Sequence, residues 1–595
     1  MKKLLAVFAL ALVCIFVFTS CNPSEVEEDL QPLPAVTISI SNAEELADIN
    51  NYLGAKYINY TFSLEKDIDI STFTQWQPIG NIDQPFMATF LGNGKTISNL
   101  TYIGMDTEGK PTVANLTNNV ALFGVTKNAK IVDLNLTDIE LNLYTYGDYF
   151  HTAGLVAYNI GDSEFSDITI TGNINLSNIY YYNTTYGMDG KVQDDKVITC
   201  NTTQYIGGLV AYSSGKTFIS NIDVDIDISN KNYKAIYEVE KEEVDGEAIV
   251  VDEGYYVHSY STPLPKQTMA GFLGGYIRNG AVISDVIVSG DMEVFAKSVY
   301  GAPSIAILIG SKALEITSNT SNLTLIGSEK VAGAGSIALL DSSKASNITV
   351  DLFNINAEPI GGSVKNISIG GIVSYCNDRA ELTDSKVKFF NAKTTIKDKI
   401  ELGGIAGVVR DAKITKNEAK GVFTIDESRV NKQSYLGCGS IVYGAYGNAV
   451  IKQNKAEIEI TLKDGDTSLV AFDIEYGTAV DTPYVNEDGK PVGRFASSKN
   501  VKDYVEVFVA KEKANEITAY YHDSEGRELG KVVFSIDDNL YTQDGPNWSK
   551  YMSVYYVEKS GLINASGTVL ELGGKSFAGY KQVTGVPEIS DNIVL

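Results

Sequence analysis

Between about residue 40 and residue 456 the chain alternates apolar and polar positions in short runs. The runs are rich in Ile, Val and Thr and are bounded by Gly, Asn, Asp and Ser. Asp167 to Leu176 is typical, with Ile168, Ile170, Ile174 and Leu176 two or four apart, a period that turns one face of a strand to a core. One stretch follows a different period. Ser41-Asn42-Ala43-Glu44 reads as a capping box, and Leu46, Ile49 and Leu53 before Gly54 predict a helix of about three turns. Such a helix is placed to cover the open first end of a stacked β structure.

The strand pattern repeats. A small residue followed by an apolar run recurs with its first apolar residue at Phe90, Leu122, Leu155, Leu209, Phe272, Ile305, Ile337, Ile372, Ile405 and Ile441. Successive marks are 32, 33, 54, 63, 33, 32, 35, 33 and 36 residues apart. An Asn or Asp follows each mark inside a β-branched segment, at Asn99, Asp133, Asp167, Asn221, Asp285, Asn322, Asn347, Asp384, Asn417 and Asn454. A unit of this size cannot bury its own apolar side, but stacked units share a continuous core. The expected fold is all-β: a right-handed parallel β-helix, or β-solenoid, of about ten repeats over residues 37–456. Four-stranded propeller blades need ~40–45 residues, more than this period supplies. After 456 the marks stop, although alternation continues at Val505, Val507 and Val509. Residues 457–595 therefore read as a separate β domain or a C-terminal cap.

The first residues carry an address. Lys2 and Lys3 precede an apolar run from Leu4 to Phe18, shorter than the ~20 residues needed to span a bilayer. Thr19-Ser20-Cys21 follows and resembles the end of a bacterial lipoprotein signal. That resemblance implies removal of residues 1–20 and lipidation of Cys21, with outer-membrane lipid as a partner. Residues 21–36 carry Glu25, Glu27, Glu28 and Asp29 among prolines and read as a solvated tether, a pattern that resembles a surface-export signal of Gram-negative lipoproteins.

Composition narrows the function. At 595 residues, 44% hydrophobic and 21% charged, the chain is an ordered two- to four-domain protein or one elongated array. Its net charge of −26 argues against nucleic acid as a partner. Beyond Cys14 and Cys21 only Cys200, Cys376 and Cys438 remain, which is no disulfide framework.

The segments DIDISTFTQWQPIG from Asp67, ATFLGNGKTISNL from Ala88 and ALFGVTKNAKIVDLNL from Ala121 resemble the opening of GLUG-motif proteins. TAGLVAYN from Thr152, IGGLVAYS from Ile206, IGGIVSYC from Ile369 and LGGIAGVV from Leu402 extend the likeness, which weakens after about residue 290. The resemblance implies an extracellular repeat scaffold of the kind found in bacterial adhesins. It supplies no catalytic residues to transfer.

Candidate chemistry is sparse. Gly94-Lys95-Thr96 and Gly215-Lys216-Thr217 lack the earlier Gly of a phosphate loop, and His151, His258 and His522 are too far apart for a metal motif. Asp223, Asp225 and Asp227 share one strand face. They are a solvated outer face, a weak Ca²⁺ site, or paired acids for a glycosidase. Tyrosines gather in two long insertions between repeats: Tyr180, Tyr181, Tyr182 and Tyr186, then Tyr233, Tyr237, Tyr255, Tyr256 and Tyr260. They bind sugar or protein, or pack on one another to order the loops. Because both insertions leave adjacent repeats at the same corner, they are expected side by side. The function expected is a non-catalytic, surface-anchored binding or adhesion scaffold for a glycan or extracellular protein. The alternative is a β-helix polysaccharide lyase or hydrolase, which requires acids and an Arg or Lys to converge in one groove.

Overall fold

The computed structural model describes residues 31–103, 118–145, 148–186, 192–198, 202–244, 247–258, 264–359, 366–395, 399–426, 435–439, 441–446 and 449–462, with short strands between 484 and 594. Cys21 and Tyr260 lie outside the described residues. The protein is all-β with almost no helix, and its strands pair mainly in parallel, consistent with a parallel β-helix.

Each pass of the chain pairs with the next. A nine-stranded parallel sheet contains Phe123–Lys127, Val156–Ile160, Val210–Ser214, Gly274–Arg278, Ile305–Ile309, Ile337–Asp341, Val373–Asn377, Ala406–Arg410 and Val442–Tyr446, in that order. A larger, mostly parallel sheet carries the remaining strands of each pass. Alternation drives the core. Along one in-register row, Phe62, Phe90, Ile131, Phe165, Ile219, Ile283, Ala313, Ala345, Leu382, Ile414 and Ile451 are all buried. Leu155, Leu209, Ile372 and Ile405 are likewise buried.

The register differs in detail from the sequence marks. Phe90 pairs with Ile131 and belongs to a different row from Leu122. The neighbours of Leu209 along its row are Leu273, Ser304 and Ser336, so Phe272, Ile305 and Ile337 each stand one place off. At Ile305 and Ile337 the physical reason is that Ser304 and Ser336 occupy the interior position by bonding each other (Oγ–Oγ 3.0 Å), whereas Phe272 and Leu273 are both apolar and both buried, so the pattern alone does not choose between them.

The corner residues show the same distinction. Asp133, Asp167, Asn221, Asp285, Asn347 and Asp384 have positive φ of 50–58°, the left-handed conformation that Asn and Asp tolerate best. At equivalent corners the chain places Glu315, Lys416 and Gln453 with φ of 55–60°. Asn417 and Asn454 sit one place beyond the corner and turn inward. Asn417 Nδ2 donates to Asn454 Oδ1 (3.0 Å) and Asn454 Nδ2 to the Ile414 carbonyl (3.0 Å), so the buried amides pair with backbone and each other. Asn322 belongs to an outer ladder with Asp291, Asn354 and Asn391, joined at 2.7, 2.9 and 2.9 Å.

At the first end the helix Ala43–Ala47 is capped by Asn42 rather than Ser41; Asn42 Oδ1 accepts from the Glu45 N–H, and Glu45 Oε2 accepts from the Ser41 N–H. A 3₁₀ turn continues it through Asp48–Asn51, and Leu46 and Ile49 are buried in the common core. At the other end Lys455–Leu462 runs through residue 456. The last strands, Glu588–Ser590 and Ile593–Val594, return to pair in parallel with Val450–Lys452 and Lys455–Leu462. Between them, Tyr504–Val509, Glu516–His522 and Glu528–Ser535 form an antiparallel sheet.

Candidate functional site

In each pass a wall strand of the larger sheet meets a strand of the nine-stranded sheet across a two-residue turn. Tyr149–Ala153 leads to Val156–Ile160, Thr203–Gly207 to Val210–Ser214, and Gln267–Gly271 to Gly274–Arg278. The outer faces of the two strands meet across the turn, Tyr205 with Tyr212 and Tyr276 at 5.3 and 6.0 Å, and the groove is this re-entrant outer corner, its inner side chains buried and its tyrosine row part-exposed. Its floor needs small residues. A Cβ on Gly275 would lie 2.9 Å from both the Ile206 nitrogen and the Met269 oxygen, and Ala157, Ala211 and Ala306 floor the neighbouring passes.

The groove walls are aromatic at one end. Tyr158, Tyr212 and Tyr276 are in register on successive strands, with ring centroids 5.0 and 5.2 Å apart, the spacing of the strands themselves. From the opposite wall His151 stacks on Tyr205 at 4.9 Å and meets Tyr158 at 5.0 Å. Tyr205 meets Tyr212 edge to face at 5.3 Å. Arg278 lies over the Tyr212 ring, 5.6 Å from its centroid, and also bonds the Tyr212 hydroxyl. Burial pushes the Tyr205 phenol up to about 12 and holds His151 down at about 4, so that imidazole is neutral at pH 7. His151 Nδ1 and Arg278 Nε are shielded from water and have no hydrogen-bond partner among the described residues.

Further along, Met269, Ile307 and Leu339 make the same groove apolar. A second polar group follows. Lys330 Nζ bonds the Tyr300 hydroxyl at 3.0 Å and lies 4.1 Å from the Tyr375 ring centroid. Asn366 Nδ2 donates to Tyr375 Oη (3.0 Å) and to Glu401 Oε2 (2.9 Å).

The tyrosines singled out in the insertions fall in two hairpins of which only the backbone is described. Tyr180, Tyr181, Tyr182 and Tyr186 lie in Glu164–Tyr186, which pairs antiparallel with Val192–Ile198. Tyr233 and Tyr237 lie in Phe218–Val244, and Tyr255 and Tyr256 in its antiparallel partner Glu247–His258. The two leading strands pair in parallel as far as Tyr181 and Ala235, which brings the hairpins side by side. Both leave the chain immediately before a groove wall strand, Thr203–Gly207 or Gln267–Gly271.

Asp223, Asp225 and Asp227 are exposed on one strand face, with Val224, Ile226 and Ile228 buried behind them. Asp225 Oδ1 accepts from Ser289 Oγ (2.9 Å) and Asp227 Oδ1 from the Asp291 N–H (2.7 Å). Partial burial, then the Asp225 charge, raises the Asp223 carboxyl above its ordinary value. Among the described residues no three His, Cys, Asp or Glu side chains converge as metal ligands, and no Lys or Arg pairs with these aspartates. Cys376 is buried, and burial pushes its thiol far above the usual range, which makes it unreactive.

The groove aromatics were missed by a reading that sought tyrosines in loops. Their signal was present: Tyr follows a small residue at the same place after the turn in Val156-Ala157-Tyr158, Val210-Ala211-Tyr212 and Gly274-Gly275-Tyr276. No protein-family model, curated protein or solved structure matches the chain.

Proposed function

We propose that this chain is a bacterial outer-membrane lipoprotein, anchored through Cys21 and displayed at the cell surface. In this reading its GLUG-like repeats form a right-handed β-solenoid of about ten coils that acts as a non-catalytic binding scaffold. The ligand class it favours is a glycan, held in the outer groove with the paired hairpins at its rim.

One observation carries the reading. His151, Tyr158, Tyr205, Tyr212, Tyr276 and Arg278 gather, part-buried against one another, outside the common hydrophobic core. Aromatic rings with polar tips suit sugars, which present both apolar faces and hydroxyls. The test is a glycan and extracellular-protein array probed with the mature chain, a Tyr205→Ala/Tyr212→Ala variant, and a variant with both hairpins cut to short turns. Binding to glycans that the groove variant loses supports the reading; binding untouched by either change refutes it. Anchoring is tested separately. Cys21→Ser should abolish palmitate incorporation and release the protein, and persisting label in that variant refutes lipidation.

A further inference from the structure

The groove has a charge character at odds with the rest of the chain. The sequence holds 74 acidic residues, yet Arg278 has no carboxylate partner among the described residues. Instead its guanidinium is held by Tyr212, through the ring and through the hydroxyl. A half-buried cation in an acidic protein ordinarily acquires an acid, because pairing offsets the cost of removing its water. Here the position is filled by the Tyr212 phenol, and the Arg278 Nε is left without a partner among the described residues.

The row that Arg278 occupies sets the limits of this region. Across successive strands it reads Lys127, Ile160, Ser214, Arg278, Ile309 and then Asp341. On this rim no acid occurs before Asp341, two strands beyond Arg278. An anion seated at Arg278 is therefore repelled on the Asp341 side, and a longer ligand extends the other way, along the tyrosine row towards Tyr158 and His151 and short of the acidic hairpins.

Resting on the glycan-binding reading above, we propose that this end of the groove is a subsite for a carboxylated sugar, a uronic acid unit of an extended glycan. The carboxylate meets the Arg278 guanidinium, whose planar fork suits it. The sugar ring lies against the tyrosine edges, and the Tyr212 and Tyr276 hydroxyls serve its own hydroxyls. The face-to-face stack of those two rings, 3° between planes, leaves edges and hydroxyls rather than broad faces available. That geometry favours a ligand rich in polar groups over a purely apolar one.

The experiment is calorimetry of the mature chain with an oligouronate, with the same oligosaccharide after reduction of its carboxyls to alcohols, and with a sulfated neutral oligosaccharide of equal length. The oligouronate should bind roughly tenfold or more tightly than its reduced form. Arg278→Gln should abolish that preference and Arg278→Lys restore part of it, with unchanged thermal midpoints showing that both variants are folded. Equal binding of the acid and reduced forms, or a preference that survives Arg278→Gln, overturns the subsite. So does stronger binding of the sulfated sugar, which would assign a different anion. If neutral glycans bind and Tyr205→Ala/Tyr212→Ala abolishes that binding while the acid confers no advantage, the groove reading stands and only this inference falls. If no sugar of any kind binds, both fall.

Discussion

The passes from Lys130 to Arg278 and those from Tyr300 to Glu457 are built on the same rows and can be compared position by position. Inside, Val156 and Val210 are matched by Ile305, Ile337, Val373 and Ala406, all buried. Outside, the row Tyr158, Tyr212, Tyr276 continues as Ile307, Leu339, Tyr375 and Val408. The wall row His151, Tyr205, Met269 continues as Tyr300, Ala332, Ser368 and Glu401. The repeated backbone thus acts as an internal control. It accepts many residue types on the groove face, so the aromatic set in the first region is not a requirement of the fold. The first region is also where the two hairpins are inserted.

The sharpest way to break this comparison is to make matched inner and outer changes in one strand segment. Leu209→Ala removes a fully buried side chain and should cost ~2–5 kcal/mol. Tyr212→Ala, three residues on, should cost much less in stability and yet remove glycan binding. Urea denaturation of both variants decides it. Equal losses of stability would mean that the tyrosine row holds the fold together.

His151 provides a second, pH-dependent separation of the regions. Burial holds its imidazole at about 4 in the fold, against ~6.5 in the unfolded chain. Between those values the unfolded state binds more protons, so stability is complete above about pH 6.5 and declines as the pH falls towards 4. The contribution is on the order of 1–3 kcal/mol. His151→Phe should keep the stack on Tyr205 and flatten that part of the stability profile relative to wild type. Parallel profiles for the two proteins between pH 6.5 and 4 would show that the ring is hydrated in the fold.

A third change sharpens the second region. The Asn417 side chain accepts from the Ser385 N–H at 3.0 Å and donates to Asn454 and the Leu382 carbonyl. Asn417→Ala leaves the Ser385 donor and the Leu382 and Asn454 acceptors without these bonds and should cost ~1–3 kcal/mol, read as a fall in thermal midpoint. A loss below ~0.5 kcal/mol, the level of a surface substitution, would show that water replaces the amide.

These residues also explain how far the sequence could be read. Rows that depend on alternation were legible: Val224, Ile226 and Ile228 are buried and Asp223, Asp225 and Asp227 exposed, as the pattern requires. Rows that depend on backbone conformation were legible only where residue preference is strong. Asp167 and Asn221 mark left-handed corners, but Glu315, Lys416 and Gln453 take the same φ with no comparable preference. The groove was not legible, because it arises when two strands fold back across a turn. Alternation within a strand says which residues face out; it does not say that the outer faces of Thr203–Gly207 and Val210–Ser214 meet.

The smallest expected effect tests the premise that outer positions contribute little to stability. Lys130 and Glu164 face each other on adjacent strands in the first region, Nζ to Oε1 2.9 Å, with side chains 46% and 41% exposed. Lys420 and Glu457 do the same in a later pass, at 2.7 Å and 52% and 51% exposed. Each pair gains little Coulomb energy in a high dielectric and must fix two long side chains, so its coupling should be ~0.2–1 kcal/mol. Double-mutant cycles through Lys130→Ala/Glu164→Ala and Lys420→Ala/Glu457→Ala should give similar values, both declining as salt shortens the screening length. A coupling well above 1 kcal/mol at Lys130–Glu164 alone would mean that the first region depends on its surface for stability. Its tyrosines could then be structural as well, and the contrast between the two regions would lose its functional meaning. Equal, small and salt-sensitive couplings would leave the groove aromatics as outer residues selected for what they touch in solution.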